Sequence, residues 1–467
     1  MNLQDRFNRF VTRYPHSHLP FFQRPHASRR EFFQLLGAGV TGSMLLRPRA
    51  WAADIRSTPV SMQSKARNVI FILLTGAPSH TDTFDFKQST DTPASFKPET
   101  INGLAWPTGL LPKMAEQLPN MAIVRSVRAW ALVHSLSQSW VQIGRNPAAA
   151  LGNIAPNIGS VVAIEKDGER GSDQVFPTFL ALNATNQAGP GYLPARYAPF
   201  KLTPNVNNPG LGLPNTTNAA GASRMQDRWS MLHGLDDSLR VNSPLGAPVS
   251  DYEDFYQAAK GLMYNSVVDK AFKFTAEDAA SYGRTPFGAS CLVAKQVLAA
   301  NQGTRYVQIT YGSWDMHQNI YSTAANAMPA MGKILDDGVS ALLADLKASG
   351  QLDETLVVMM GEFGRTVGRI TAAGGRDHYP QQSVIFAGAG VRGGRAIGST
   401  DATGANTKDY GWSRGRDIKP EDVEATIYSA MGINWTSVRY DDPFKRGFEY
   451  VPFSDQDLYG PINELWS

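Results

Sequence analysis

Short runs of apolar residues recur along the chain, and they restrict its possible folds more than any other feature of the sequence. The first run, residues 68–75, has only apolar residues between Asn68 and Thr75 and stops at Gly76. A run without polar alternation is typical of a strand buried on both faces, as in a parallel sheet. Similar runs predict five more strands, at residues 121–124, 176–182, 305–311, 355–360 and 383–387.

Segments with the spacing of helices separate these strands. The longest, residues 327–349, places Leu335, Val339 and Leu342 among other apolar residues at helical spacing, and Gly350 follows as a helix stop. The other predicted helices cover residues 134–144, 251–273, 287–300 and 420–432. Strands that alternate with helices predict an α/β fold, with a mostly parallel, doubly wound sheet flanked by helices.

Residues 183–222 differ from the rest of the chain because they are rich in Asn, Pro, Gly and Thr, and they predict a loop-rich insertion. Neither an internal repeat nor a clear linker divides the chain, so we expect a single domain over residues 53–467. The one cysteine, Cys291, cannot form a disulfide within the chain, and we expect a small buried side chain there.

The first 52 residues have the pattern of a targeting signal. Arg29 and Arg30 precede an apolar run at residues 32–46, and Ala-Trp-Ala at residues 50–52 matches a small-x-small cleavage site. The run is too short and too polar to span a bilayer comfortably, so we expect no permanent membrane span. The paired arginines indicate a twin-arginine signal peptide, and the twin-arginine translocase would be a partner during export. We therefore expect a periplasmic or extracellular protein; the alternative is an uncleaved N-terminal anchor.

The same N-terminal segment holds the positive charge of the chain. The 44 basic and 41 acidic residues give a net charge of +3. Residues 1–52 contain eight of the arginines and only two acidic residues, so the remaining residues carry a net charge of −3. A nearly neutral body without a basic stripe gives no indication of nucleic-acid binding.

Histidine is the most informative residue type in the body of the chain. Three of the eight histidines lie in the N-terminal segment, and four of the other five follow a predicted strand or begin a predicted helix: His80, His134, His317 and His378. In open α/β sheets, ligands bind beyond the carboxyl ends of the strands, so this placement points to one shared site. We expect His233, the exception, to be a surface or packing residue.

Two of these clusters place a carboxylate after a strand. Asp82 follows the first strand and is positioned to hold a cation, or it is a turn or capping residue. Asp315 and His317 lie two residues apart after a later strand, so both side chains can lie on one side of an extended segment. A carboxylate with an imidazole suits Zn²⁺ and similar divalent metals; the alternative is a structural Asp–His hydrogen bond.

Two further clusters add arginine. Glu362 and Arg365 lie at the end of an apolar strand, either in a site or as an exposed ion pair. In the glycine-braced segment at residues 374–380, His378 could be a metal ligand and Arg376 an anion clamp. Alternatively, the intervening aspartate only orients His378.

One motif is rejected. Residues 388–393, Gly-Ala-Gly-Val-Arg-Gly, follow a strand and match the dinucleotide fingerprint as a string. Residues 394–401 do not predict the helix whose N-terminus would bind the phosphates, so we interpret the segment as a glycine-rich surface loop.

The clusters, in their order along the chain, resemble the DUF1501 family. The matching stretches are residues 76–85, 312–317, 361–366, 375–378 and 398–401. The resemblance runs from about residue 65 to the end of the chain. It implies an alkaline phosphatase-like fold, related to the sulfatases, with one or two metals at the mouth of the sheet.

Carried over residue by residue, the resemblance implies a divalent metal held by five side chains: Asp82, Asp315, His317, Glu362 and His378. Zinc is the first expectation, with manganese and calcium as alternatives. Phe363 departs from the family pattern, since many relatives have a metal-binding histidine there.

The resemblance implies that His134 occupies the position of the nucleophile. It could be a nucleophile, a metal ligand or the relic of a lost activity. Ser135 is the natural substitute, because a hydroxyl beside a metal is readily activated. Arg365 or Arg376 would hold the anionic group.

Two functions remain open at this point. The first is a metal-dependent hydrolase that acts on a phosphate or sulfate ester, either a small anionic ester or a sulfated or phosphorylated glycan. The second is a non-catalytic member of the fold that binds a metal or a glycan, since a fold does not determine a function.

Overall fold

The computed structural model describes residues 55–240 and 247–467. The predicted signal peptide, residues 1–52, lies outside the described residues.

A central sheet of eight strands organises the domain. In chain order the strands are β1 (Asn68–Leu74), β2 (Met121–Arg128), β3 (Phe179–Leu182), β4 (Phe200–Leu202), β5 (Tyr306–Tyr311), β6 (Thr355–Gly361), β7 (Gln381–Ala387) and β8 (Arg395–Ile397). Their spatial order is β8-β2-β7-β6-β1-β5-β3-β4. Only β7 runs antiparallel to its neighbours, and all other adjacent pairs are parallel. The predicted mostly parallel sheet is confirmed.

All six predicted strands are present. Two further strands, β4 and β8, were not predicted; they are three residues long and only partly buried. Short strands of this kind have too few residues to show a pattern. Because β8 and not a helix follows residues 388–393, that glycine-rich loop has no helix N-terminus with which to bind a dinucleotide.

Ten α-helices are described. They are α1 (Pro112–Gln117), α2 (His134–Ile143), α3 (Ile158–Lys166), α4 (Gly221–Arg240), α5 (Ala247–Leu262), α6 (Ser266–Phe272), α7 (Ala276–Ser281), α8 (Pro286–Ala300), α9 (Met328–Ala348) and α10 (Pro420–Ala430). The single helix predicted at residues 251–273 is wrong, because α5 and α6 divide it. Tyr264 takes a positive φ of 52° between them, and the Asn265 side chain caps α6 by accepting from the Val267 N–H.

Five strands of the sheet, β1, β3, β5, β6 and β7, are buried along their whole length. In β1, Ile70, Ile72 and Leu74 pack into one apolar cluster, which also contains side chains from α8 and α9. Val69 and Phe71 of the same strand pack into the other cluster, with side chains from α2, α3 and α10. Helices therefore cover both faces, as a doubly wound sheet requires.

Smaller pairings lie outside the central sheet. They join Pro98–Ile101 with Leu104–Pro107, Gly364–Arg365 with His378–Tyr379, Ser399–Thr400 with Thr407–Asp409, and Val438–Arg439 with both Ile55–Arg56 and Phe448–Glu449. Residues 183–220 contain only β4 and short 3-10 turns. Among the described residues, no helix is both long enough and apolar enough to cross a membrane.

The register of three parallel strands sets the location of the candidate site. Leu74 at the end of β1 pairs with Tyr311 of β5 on one side and with Gly361 of β6 on the other. The segments that follow these strands therefore leave the sheet at the same edge. These are the segments with the histidine and carboxylate clusters.

Candidate metal centre

Four side chains from distant parts of the sequence meet at this edge of the sheet. They are His134 at the start of α2, Asp315 and His317 after β5, and His378 in the short strand paired with Gly364–Arg365. One ligand atom of each lies within 4.8 Å of those of the other three. We call these four residues the His₃Asp group.

The Oδ1 atom of Asp315 lies at the centre of the group. It is 3.2 Å from Nε2 of His134, 2.9 Å from Nε2 of His317 and 3.6 Å from Nε2 of His378. The Nε2 atoms of His317 and His378 are 3.1 Å apart. All three imidazoles therefore present the same ring nitrogen to one point.

The other nitrogen of each imidazole is held by a group that can only accept a hydrogen bond. These pairs are His134 Nδ1 with Glu362 Oε1 at 2.7 Å, His317 Nδ1 with Asp377 Oδ1 at 2.8 Å, and His378 Nδ1 with the Leu132 carbonyl at 2.8 Å. Carboxylates and carbonyls cannot donate, so each Nδ1 must carry the proton. In the neutral imidazoles the Nε2 lone pairs then face one another, which is the tautomer that metal-binding histidines adopt.

The donor set and its spacing fit a divalent cation. Two facing lone pairs at 3.1 Å repel each other unless a proton or a cation lies between them. Zn²⁺ bonded tetrahedrally to nitrogen at 2.0–2.1 Å would separate its ligand atoms by about 3.3 Å. The four separations given above, from 2.9 to 3.6 Å, surround that value. Nε2 of His134 is also buried without a hydrogen-bond partner among the described residues.

Neighbouring groups shift the protonation equilibria of three members. The hydrogen bond to Glu362 raises the pKa of His134. Burial lowers the pKa of His378. For Asp315, burial acts to raise the pKa, but the hydrogen bond and the charge of Arg365 outweigh it and lower the pKa below its ordinary value. Asp315 is therefore held as the anion.

Glu362 supports the group without belonging to it. Its side chain is fully buried, and Oε1 accepts hydrogen bonds from His134 Nδ1, from the Gly76 N–H at 2.9 Å and from Gln138 Nε2 at 3.0 Å. Its Oε2 atom has no partner among the described residues. The structure therefore places Glu362 behind His134, where it orients the ring.

Arg365 is buried against Asp315, with its Nη2 atom 2.6 Å from Oδ1. All five of its N–H groups have acceptors: Ala77 O at 2.9 Å, Arg376 O at 3.1 Å, His317 Nε2 at 3.4 Å, Asp315 Oδ1 and Gly76 O. The guanidinium thus fixes the aspartate and the chain around it. When His317 Nε2 serves as a metal ligand, the N–H that faces it is the one Arg365 donor without an oxygen acceptor.

Asp82 and Arg376 form a separate buried ion pair. Nε of Arg376 lies 2.7 Å from Asp82 Oδ2, and the Tyr321 hydroxyl donates to Asp82 Oδ1 at 2.7 Å. The remaining donors of Arg376 go to Asp82 Oδ1, the Tyr321 oxygen and the carbonyls of Thr366 and Gly368. The structure therefore does not bring Asp82 into the His₃Asp group, and Arg376 has no free donor.

Ser135 and Phe363 are the remaining positions that the sequence singles out. Ser135 follows His134 in the first turn of α2 and is exposed, and its hydroxyl has no partner within the described part of the chain. Phe363 is buried, and its ring centroid lies 4.8 Å from that of His134 and 4.7 Å from that of His378. It packs as an apolar wall where the resemblance leads one to look for a ligand.

Two other histidines lie elsewhere. His80 is buried and 2.9 Å from the Gly404 carbonyl through Nε2, and burial lowers its pKa. His233 lies in α4, where its Nδ1 is 2.6 Å from Asp237 Oδ1.

Gln138 and Tyr321, which contact Glu362 and Asp82 respectively, were not predicted from the sequence. Gln138 lies one helical turn after His134, so its position on the same face of α2 could have been noticed. Nothing in the local sequence connects Tyr321 with Asp82, which is 239 residues away.

A polar cleft of about 420 Å³ opens beside the group. Asp315 and His317 line it, together with Met316 and residues from the loop that leads to α9: Gln318, Asn319, Ser322, Ala324, Asn326 and Ala327.

Comparisons with known proteins give one family and several distant structures. The sequence model of the family described as "Protein of unknown function (DUF1501)" matches residues 66–446. No curated protein matches the chain.

Three solved structures illustrate the structural likeness. Ps i-CgsB has 12% identity and a TM-score of 0.40, with 85% of this chain and 79% of that chain covered. The PsFucS1 sulfatase from Pseudoalteromonas sp. has 13% identity and a TM-score of 0.38, covering 79% and 68%. A protein in the alkaline phosphatase superfamily from Vibrio parahaemolyticus has 10% identity and a TM-score of 0.35, covering 87% and 76%.

Proposed function

The chain belongs to the DUF1501 family of proteins of unknown function, and we propose that it is an exported, metal-dependent hydrolase of phosphate or sulfate esters. The observation that carries the proposal is the His₃Asp group, in which three Nε2 atoms and Asp315 Oδ1 face one point while every Nδ1 proton is held elsewhere. Imidazole ligands favour zinc over calcium or manganese, so zinc is the proposed metal.

When bound, a divalent cation acts as a Lewis acid toward an ester oxygen and lowers the pKa of coordinated water. Asp315, His317 and His378 would hold it, since Arg365 and Asp377 fix the first two and Leu132 orients the third. His134 completes the group from α2, either as a fourth ligand or as the group that transfers a proton. Glu362 keeps its ring in place for both roles.

The N-terminus of α2 supports binding of an anionic ester. The N-cap position is Val133, and no side chain caps the helix. Valine is a poor N-cap, so the first N–H groups of α2 lack the usual partner. A helix N-terminus attracts anions through these groups and through its dipole. Because Arg376 is saturated and Arg365 has only the N–H that faces His317 Nε2 to spare, we propose that the anion binds between the metal and the start of α2.

The alternative function is a non-catalytic metal-binding protein. One observation favours it: a site closed by four protein ligands is typical of structural zinc, whereas catalytic sites keep a position open. The role of His134 distinguishes the hydrolase from the non-catalytic metal-binding protein. A catalytic site needs only three of the four residues as ligands.

The proposal that the protein is exported is based on its N-terminal sequence. Arg29 and Arg30 precede the short apolar run and the small-x-small site. We propose export through the twin-arginine pathway to the periplasm or the exterior.

Metal content tests the site directly. We expect the purified mature protein to contain about one zinc per chain, and His378→Ala to lose most of it. His233→Ala is the matched control, because His233 lies in α4 outside the group, and it should keep its metal. A His378→Ala protein that retains zinc at the wild-type level contradicts the proposed site.

Activity tests the reaction. We expect zinc-loaded protein to hydrolyse 4-nitrophenyl phosphate or sulfate, and His134→Ala to abolish turnover while keeping the metal. Ser135→Ala, compared in the same assay, reports whether the neighbouring hydroxyl takes part. Loss of both metal and structure in His134→Ala, together with an inactive wild type, would favour the binding protein.

A further inference from the structure

We infer that the cleft beside His317 binds an uncharged, hydroxyl-rich group of the substrate, such as a sugar ring, and that Gln318 and Asn326 select it. This inference rests on the proposed function, because it names the part of the ester that lies next to the metal centre.

The position of the cleft connects it with the His₃Asp group. Asp315 and His317 belong to the group and also line the cleft. The Asp315 side chain is 45% exposed, although Arg365 behind it is buried. An ester held at the group therefore has the cleft as adjoining open space for its alcohol portion.

The lining has the hydrogen-bonding character of a site for neutral hydroxyl groups. Gln318, Asn319 and Asn326 contribute side-chain amides, all three residues are exposed, and none of these amides has a hydrogen-bond partner within the described ranges. Ser322 adds a hydroxyl, whose oxygen accepts from the Ala324 N–H at 3.4 Å. An amide both donates and accepts, and so does a sugar hydroxyl, so the two match without charge.

Charge argues against a polyanionic ligand in this cleft. Of the residues that line it, none is lysine or arginine, and Asp315 brings a negative charge. The nearby guanidinium of Arg376 has all its N–H groups occupied, and that of Arg365 donates to oxygen acceptors through all but the one N–H that faces His317 Nε2. A second phosphate or sulfate would find no partner here, whereas a neutral ring would.

Backbone contacts hold the cleft open before any ligand binds. The Asn319 and Ile320 N–H groups donate to the carbonyls of Ala373 and Gly374 at 3.2 and 2.8 Å. On the other side, the Met328 N–H donates to the Ile320 carbonyl at 2.8 Å. A preformed wall reduces the entropy lost on binding, so weak neutral hydrogen bonds suffice for selectivity.

The kinetic test compares two esters of the same anion. Glucose 6-phosphate or glucose 6-sulfate offers a hydroxylated ring, and the corresponding 4-nitrophenyl ester does not. We expect Gln318→Ala and Asn326→Ala each to lower kcat/KM for the sugar ester by about 3- to 10-fold, mainly through KM, and to leave the aryl ester unchanged. Asn207→Ala is the control, since Asn207 is an exposed amide in the insertion and does not line the cleft.

A binding test keeps the inference separate from the hydrolase proposal. Calorimetry with methyl α-glucoside and methyl α-galactoside, which carry no ester, should show weak binding to the wild type and to Asn207→Ala, and none to the Gln318→Ala/Asn326→Ala double variant. Absence of sugar binding to the wild type, or equal loss on both ester types, overturns the inference even if hydrolysis is found. Sugar binding by a zinc-loaded protein that hydrolyses neither ester would support the cleft and contradict only the hydrolase.

Discussion

At the scale of single residues, the protonation of the site is set by partners that lie outside the His₃Asp group. Asp377, Glu362 and the Leu132 carbonyl each accept a hydrogen bond from the Nδ1–H of one imidazole, so Nε2 is left as the free ligand atom. Such partners orient metal-binding histidines and raise their basicity. The group is therefore defined as much by these acceptors as by its own four side chains.

Asp377 offers the cleanest test of this arrangement, because its side chain is exposed and its removal leaves the core intact. We expect Asp377→Ala to weaken zinc binding about 10- to 100-fold, since His317 loses the acceptor that fixes its tautomer. Competition with a chromophoric chelator measures the affinity. Asp173→Ala, an exposed aspartate elsewhere, should bind zinc like the wild type. Unchanged affinity in Asp377→Ala would mean that another group sets the tautomer of His317.

At the scale of elements, α2 joins the site to the rest of the molecule. His134 begins this helix, and Gln138 one turn later contacts both Glu362 and, through its Oε1, the Asn186 side chain of the insertion at 3.2 Å. Gly144 ends the helix in a left-handed conformation, with φ of 59°. A side chain at Gly144 would collide with Glu424 of α10, so these two helices pack in direct contact.

Glu424 makes the stability of this helix pair depend on pH. Burial raises its pKa to about 8, while the charge of Arg145 and a hydrogen bond from Tyr428 act in the opposite direction. Between its ordinary value of 4.5 and about 8, the folded protein keeps a proton that the unfolded chain releases. The free energy of unfolding therefore falls as pH rises through this window.

We expect Glu424→Gln to remove this dependence, because glutamine has a similar shape and no charge. Above pH 8 the variant should be more stable than the wild type, by at most about 3–5 kcal/mol. Thermal melts from pH 5 to 9 measure the difference. Glu116→Gln, at an exposed glutamate, should follow the wild-type curve. Parallel curves for Glu424→Gln and the wild type would show that Glu424 is ionised in the fold.

For the molecule as a whole, we expect the fold not to depend on the metal centre. Apolar clusters fill both faces of the sheet, while the His₃Asp group lies at one edge, beyond the ends of β1, β5 and β6. Hydrophobic burial of this extent stabilises the folded state without a ligand.

Removal of the metal should therefore weaken the protein without unfolding it. After treatment with a chelator, we expect an unchanged far-ultraviolet circular dichroism spectrum and a Tm lower by a few degrees, restored by added zinc. Binding at a thousand times Kd contributes about 4 kcal/mol, which is modest for a domain of this size. Unfolding on chelation would instead assign the centre a structural role.

Much of this architecture could be predicted from local sequence. The runs at residues 68–75 and 355–360 predict buried strands because burial on both faces removes polar alternation. Parallel neighbours end at the same edge, so Asp315, His317 and His378 could be assigned to one region before any coordinates. The short strand β8 and the break between α5 and α6 could not be predicted. A strand of three residues shows no burial pattern, and the break depends on a single residue in the left-handed conformation.

The sheet, the helices and the edge at which the functional side chains meet could be inferred from local sequence, since they follow from periodic burial and chain direction. The pairing of charges at that edge could be read only from the folded chain. Asp82 pairs with Arg376 and accepts a hydrogen bond from Tyr321. Glu362 lies behind His134. Arg365 donates to Asp315 and to nearby carbonyls. A buried charge pairs with the oppositely charged group that lies next to it in space, and that group is up to 294 residues away along the chain.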